Sequence, residues 1–230
     1  MKSTALIIGN SNGIGLTISK ELLSEGWTII GISRSDSPIK NSCYKHIVSE
    51  VQDVDYPEKL RIILEEEDPF DICIYCVGIG ELLDFSNMEN DVRVFDVNLL
   101  GMIKAVSQVI PSMLKNGKGH FIGISSIADE LLSDKGPSYH ASKAGFSNYL
   151  EGLALALKSK PVHITNVRFG FVDTKMTKGN IKPFMMTVDR AAQHLKKCIE
   201  YKPARYTAPR VVIPLVKFRK FIFNLKILFQ

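Results

Sequence analysis

The chain has 230 residues, 45% of them hydrophobic and 23% charged, with four cysteines. This is an ordinary globular composition with enough apolar mass for a sizeable core, and four cysteines in a chain this long argue against a disulfide scaffold. The net charge of +5 is unevenly placed: seven basic residues and no acid lie from Tyr201 to Gln230, and removing that +7 leaves −2 on residues 1–200, so the basic total makes no case for nucleic acid.

Apolar, β-rich runs alternate with helix-like stretches. A-L-I-I-G predicts a first strand and not a leader sequence, because four apolar residues before a glycine loop fall short of a leader core. No run reaches the roughly 18 apolar residues of a membrane span. L-T-I-S-K-E-L-L-S-E-G predicts a helix, W-T-I-I-G-I-S a second strand and C-Y-K-H-I-V-S-E-V a third. P-E-K-L-R-I-I-L-E-E-E predicts a helix with proline near its start. F-D-I-C-I-Y-C-V-G is the fourth strand. Its Cys73 and Cys76 form a C-x-x-C with no helix start to lower a thiol pKa, which favours two free thiols over a redox pair and fits a cytoplasmic protein. A long helix around Asp91 to Lys115, the strand H-F-I-G-I-S-S and a helix from Ser138 to Lys158 follow. The strand P-V-H-I-T-N-V-R-F, the helix D-R-A-A-Q-H-L-K-K-C-I-E and a short strand A-R-Y-T-A-P complete the series. Continuous apolar strands alternating with helices predict one doubly wound Rossmann domain over residues 1–209. It is a three-layer α/β/α fold around a mostly parallel seven-stranded sheet. Residues 210–230 form a basic, apolar tail.

Several residues carry candidate chemistry. Gly9-Asn10-Ser11-Asn12-Gly13-Ile14-Gly15 follows the first strand, where glycines let backbone approach a pyrophosphate and a helix N-terminus opens. Taken alone it also reads as a tight turn without a ligand. At the end of the second strand Ser33 and Arg34 stand where an acid would accept a ribose 2′-hydroxyl; the guanidinium fork of Arg34 suits a 2′-phosphate, or is a solvated loop charge. Tyr139 and Lys143 are four apart at a helix start, and so share a face. Ser126 lies thirteen residues upstream, at the strand end where ligands bind in such sheets. Asn98 sits among Val97, Leu99 and Leu100 inside the long helix, as a functional residue or a local satisfier of a kink. His140 is expected to point away from Tyr139, and His120 has no partner ligands for a metal. Phe184, Met185 and Met186 in the short insert after Thr174 read as an apolar substrate wall, a core contact or a subunit contact.

To about Ala208 the chain resembles the short-chain dehydrogenase/reductase family. G-N-S-N-G-I-G resembles its T-G-x-x-x-G-I-G loop, S-Y-H-A-S-K its Y-x-x-x-K, and R-F-G-F-V-D-T-K-M its P-G-x-V-x-T segment. Ser126 and Asn98 match the family serine and asparagine. Four positions depart from the pattern: Ile8 replaces the threonine before the first glycine, Tyr75-Cys76-Val77-Gly78 stands for N-N-A-G, Glu50 for an aspartate, and Phe169 for the proline. The lost Thr–Asn clasp is expected to be replaced by an apolar contact between Ile8 and Cys76.

The resemblance implies hydride transfer between a nicotinamide cofactor, NADP(H) in preference to NAD, and a small-molecule carbonyl or secondary alcohol, in a homodimer or homotetramer. Ser126, Tyr139, Lys143 and Asn98 would be catalytic, with Asn98 holding a proton-relay water. The glycine loop with Ser33, Arg34, Glu50, Val51, Val77, Gly78, Gly170, Val172, Thr174, Tyr139 and Lys143 would bind the cofactor. A tyrosine pKa near 10 must fall by about 3 to serve near pH 7, or roughly 4 kcal/mol. An ammonium about 4 Å away, at an effective dielectric near 20, contributes on the order of 4 kcal/mol, so Lys143 is expected to do most of that lowering. The alternative is a cofactor-sensing or scaffold protein that keeps the fold without turnover.

In the tail, Leu215, Phe218, Phe221, Ile222, Leu225 and Phe229 form one helical stripe, with Lys217 and Lys220 on one side and Arg219 and Lys226 on the other. That pattern fits a helix lying on anionic lipid, or one docked on another subunit or on the body.

Overall fold

The computed structural model describes residues 3–67, 69–177 and 182–228. Of the sequence readings, those on residues 178–181 of the insert, on Phe229 and on the Lys226 side chain lie outside the described residues.

The strands are β1 (Thr4–Ile8), β2 (Thr28–Ser33), β3 (Tyr44–Val48), β4 (Ile72–Tyr75), β5 (Gly119–Ser126), β6 (Val162–Phe169) and β7 (Arg205–Ala208). They form one seven-stranded sheet in the order β3-β2-β1-β4-β5-β6-β7. Every strand pairing is parallel, so the sheet is wholly parallel where the sequence predicts mostly so. The chain steps outward from β1 to β3 and then from β4 to β7, which puts the switch point at the C-terminal ends of β1 and β4.

Helices cover both faces. On one side lie α2 (Tyr56–Glu66), α4 (Gly101–Lys115) and α5 (Pro137–Ala156), packing Leu60, Met102, Val109 and Phe146 against Leu6, Ile30 and Tyr75. On the other, α1 (Gly13–Ser24) and α6 (Val188–Tyr201) pack Ile18, Leu22, Ala191 and Leu195 against Ala5, Ile7 and Ile74. Alternate residues of β1 and β4 thus face opposite cores, as a strand buried on both faces requires.

The same alternation corrects one expectation. Ile8 is paired in register with Tyr75 and shares its core, whereas Cys76 packs into the opposite core. The two positions are joined only by the Cys76 N–H donating to the Ile8 carbonyl, at 2.8 Å. Cys73 and Cys76 likewise face opposite cores and are both free thiols.

Residues 89–115 run as one helix: α3 (Glu89–Phe95), a π-helical turn over Asp96–Leu100, and α4. This run reaches a mean hydropathy of 1.3 over an 18-residue window, enough by length and composition to cross a membrane, contrary to the expectation that no stretch would. Half of that window is buried inside the fold, which makes it a core helix. Close approach of α5 to β5 depends on Gly123, where a Cβ would lie 2.4 Å from Leu150 Cδ1. Burial of Phe146 at this contact stabilises the fold by about 1.5–3 kcal/mol and fixes the register of the helix that carries Tyr139 and Lys143.

After β7, α7 (Val212–Leu228) closes the described chain, docking Val212 and Val216 against the body.

Candidate active site

The glycine loop leaves β1 with Gly9 at φ +89, where a Cβ would lie 2.9 Å from Val77 Cγ2 and 3.0 Å from its amide nitrogen. At Gly15 a Cβ would lie 2.3 Å from the Gly9 carbonyl oxygen, so the loop closes backbone against backbone. Gly13, at φ +55, opens α1 and faces the Thr174 methyl, 3.5 Å from its own would-be Cβ. Asn12 is the N-cap in extended conformation and its side chain makes no cap bond, while the first turn of α1 has no acid. The first-turn N–H groups and the positive end of the helix dipole therefore lie at the C-terminal edge of the sheet without a side-chain partner.

Asn10 is fully buried; its amide donates inward to Tyr44 Oη at 2.8 Å and contacts Ser19 Oγ at 3.5 Å. It braces the loop from beneath. Ile14 packs on the α1–α6 core, and Ser11 Oγ accepts from Ser35 Oγ at 3.1 Å, tying the loop to the end of β2.

At that end Ser33 is buried and donates to the Ser35 carbonyl at 2.8 Å. His46 bridges Tyr44 Oη at 2.8 Å and the Ser35 carbonyl at 3.0 Å. Tyr44 and His46 escape the sequence reading, although their i, i+2 spacing on a strand puts both on one face. Arg34 is exposed and makes no hydrogen bond or ion pair among the described residues. Glu50 is exposed with its N–H donating to Asp53 at 3.2 Å, while Val51 is buried against Gly101.

The four expected catalytic side chains converge where β4 and β5 end. Ser126 closes β5 and accepts from the Ala128 N–H at 3.2 Å, with its hydroxyl near the Tyr139 phenol. Lys143 is only 4% exposed; its Nζ donates to the Ile124 carbonyl at 3.0 Å and lies 3.4 Å from the Cβ position of Gly78. Burial pushes the ammonium down to about 8, against the pull of Asp129 and Cys76. Tyr139 sits above its ordinary 10: burial raises it, the nearby Ser126 hydroxyl lowers it, and the Asp129 carboxylate raises it again. The lowering expected from Lys143 is thus reversed, because a desolvated phenol resists ionising and the ammonium is held on a carbonyl.

Asn98 lies in the π turn, a geometry that recurs at functional sites. Its Oδ1 accepts from the Ile79 N–H at 2.8 Å, and its Nδ2 donates to the Ile79 carbonyl at 2.9 Å and to Ser142 Oγ at 3.0 Å. Both amide hydrogens are engaged by protein groups, so the side chain clamps the β4 loop to α5. His140 turns to the Leu131 carbonyl at 2.9 Å, and His120 to Thr165 Oγ1 at 2.8 Å. Among the described residues no group of His, Cys, Asp and Glu is arranged to hold a metal.

Beneath Ser126 lies a charge cluster that the sequence reading missed. Arg168 on β6 grips Asp129 with two bonds of 2.7 Å and reaches Glu130 at 2.5 Å. Asp129 also accepts from Ser147 Oγ at 2.6 Å, and Ser147 is 2.8 Å from Ser125. An arginine inside the apolar strand V-H-I-T-N-V-R-F was the available signal, since a buried guanidinium needs a carboxylate. Beyond β6, Gly170 packs on Pro209, Val172 bridges to Met186, and Met186 enters the core, while Phe184 stays 50% exposed.

Two glycines without room for a Cβ, a helix start with no side-chain cap or acid, and an unpaired arginine beyond β2 fit a dinucleotide. Known proteins agree on the lineage. A 3-oxoacyl-(acyl-carrier-protein) reductase FabG of Buchnera aphidicola from Schizaphis graminum is 30% identical over 206 residues, 85% of this chain and 82% of its own. An uncharacterized oxidoreductase of Staphylococcus saprophyticus is 29% identical over 186 residues, 75% and 80% of the two chains. A crystal structure of a short chain dehydrogenase from Burkholderia cenocepacia in complex with NADP superposes with a TM-score of 0.84 at 18% identity, over 94% of this chain and 92% of that one. The short chain dehydrogenase family model matches residues 3–183, and with this sheet and this glycine loop the chain belongs to the short-chain dehydrogenase family of oxidoreductases.

Proposed function

We propose that the protein is an NADP(H)-dependent reductase or dehydrogenase acting between a small-molecule carbonyl and its secondary alcohol. The observation that carries this reading is the Tyr139 phenol beside Ser126, one helical turn from the buried Lys143. When bound, a nicotinamide dinucleotide would supply or take up the hydride. Gly9, Ser11, Asn12, Gly13, Ile14 and Gly15 would hold its pyrophosphate, with Asn10 supporting the loop. Ser33 and Arg34 would hold the 2′-phosphate, Glu50 and Val51 the adenine, and Val77, Gly78, Gly170, Val172 and Thr174 the nicotinamide.

Tyr139 gives its proton to the carbonyl oxygen on reduction and takes it back on oxidation, while Ser126 donates a hydrogen bond to the same oxygen. A phenol raised by burial is held protonated at pH 7, which suits it to act as the acid in the reductive direction. Lys143 contributes positive charge one turn away, and Asn98 keeps the β4 loop and α5 in register. These converging groups favour turnover over a silent scaffold. The thiols of Cys73, Cys76 and Cys198 support a reducing, cytoplasmic setting.

The test is oxidation of NADPH and NADH against a carbonyl panel headed by 3-oxoacyl thioesters, the substrate class named for reductases among the relatives. Tyr139→Phe is expected to lower kcat/KM by about 10²–10⁴-fold. Cofactor binding without turnover of any carbonyl, or full activity in Tyr139→Phe, overturns the reading.

A further inference from the structure

The helix α7 has two faces of different fate. Val212 and Val216 are each 6% exposed against the body, and Ile213, Val216 and Lys217 line a small cavity with Ile127, Glu130, Arg168 and Thr207. Leu215, Phe218, Phe221 and Ile222 stand on the other side at 55%, 66%, 59% and 37% exposure. At about 100° per residue those four fall within an arc of about 120°, whose centre lies about 40° from the direction opposite the docked valines. Lys217 borders the arc beyond Phe221 and Arg219 borders it beyond Leu215, while Lys220 lies about 160° from its centre, on the docked side. All three cations are exposed, and residues 201–230 contain no acid.

We propose that α7 is an interfacial anchor whose outward apolar face enters an anionic lipid surface. The body already occupies the opposite face, so intramolecular docking does not account for the exposed aromatic residues. Charge complementarity selects lipid over a second copy, because pairing two α7 helices across this stripe sets cation flank against cation flank. An anionic bilayer offers acyl carbon to Phe218 and Phe221 and phosphate to the flanking Lys217 and Arg219. The anchor joins the body at Pro209, which packs on Gly170, so it is attached at the same edge of the sheet as Ser126 and Tyr139.

Vesicle co-sedimentation of the full chain tests this. Vesicles of phosphatidylcholine with phosphatidylserine are compared with phosphatidylcholine alone. The doubly substituted Phe218→Glu, Phe221→Glu chain and the doubly substituted Lys217→Glu, Arg219→Glu chain are run beside the wild type. Each is first checked by circular dichroism and by its oligomeric state in sedimentation velocity. The wild type is expected to bind the anionic vesicles at least about tenfold more tightly than neutral ones, and to lose binding as salt rises from about 0.1 M to about 0.5 M. Both variants are expected to lose most of that binding with fold and oligomeric state unchanged. Equal binding to the two vesicle types, no binding by the wild type, or unaltered binding by both variants overturns the proposal. A variant that lowers the oligomeric state without affecting lipid binding makes this face a subunit contact and overturns it too.

Discussion

At the scale of single residues, Lys143 sets function against stability. Its ammonium titrates at about 8 in the fold against 10.5 when solvated, with burial as the main cause. Below about 8 both folded and unfolded chains carry the charge and the burial cost is fully present. From there to 10.5 the unfolded chain binds more protons, so this residue makes stability rise with pH. Lys143→Met removes the cost, and is expected to melt higher at pH 7 by on the order of 1–3 kcal/mol while losing activity. Thermal melts across pH should show the gap narrowing above about 8; a variant less stable at pH 7 contradicts this. At Arg34, exposed and unpaired, truncation to alanine is expected to weaken NADPH binding by about tenfold or more, the loss of one charge-assisted contact, and to leave NADH nearly unchanged. Titration with both cofactors decides it, and equal losses count against the 2′-phosphate assignment.

At the scale of elements, the turn after β5 is held by a buried ion pair. Asp129 and Arg168 have side-chain exposures of 4% and 7%, and their bond ties the turn behind Ser126 to β6. Asp129→Asn leaves the arginine partly uncompensated and is expected to cost on the order of 3–5 kcal/mol, whereas Asp129→Leu with Arg168→Met should recover most of it. Chemical denaturation of the two variants checks this; a double variant no better than the single one places the damage elsewhere. The pair was half legible. Arg168 stands out in an apolar strand, but nothing local says that its partner lies 39 residues earlier. Tyr44 and His46 were hidden for the same reason, since their partners Asn10 and Ser35 arrive from other elements.

At the scale of the whole molecule, Val92, Leu100 and Leu155 are 61%, 46% and 77% exposed on the helical layer that carries Tyr139. We propose that this helical layer pairs subunits in a homodimer or homotetramer. Sedimentation velocity at micromolar concentration is expected to show an oligomer that Val92→Asp with Leu155→Asp shifts toward monomer; a monomeric wild type rejects this.

The sequence by itself determined the order of strands and helices, the doubly wound fold and the placement of the glycine loop, Ser126, Tyr139 and Lys143. Each of those rests on local patterns: apolar runs, turn glycines and a four-residue spacing. Only the tertiary structure decided that Ile8 and Cys76 face opposite cores, and that Asn98 clamps a loop with both amide hydrogens. It also decided that Tyr139 is raised and not lowered, and that α7 turns its phenylalanines outward. These depend on desolvation and on partners brought from distant parts of the chain, and neither is encoded in the spacing of neighbouring residues.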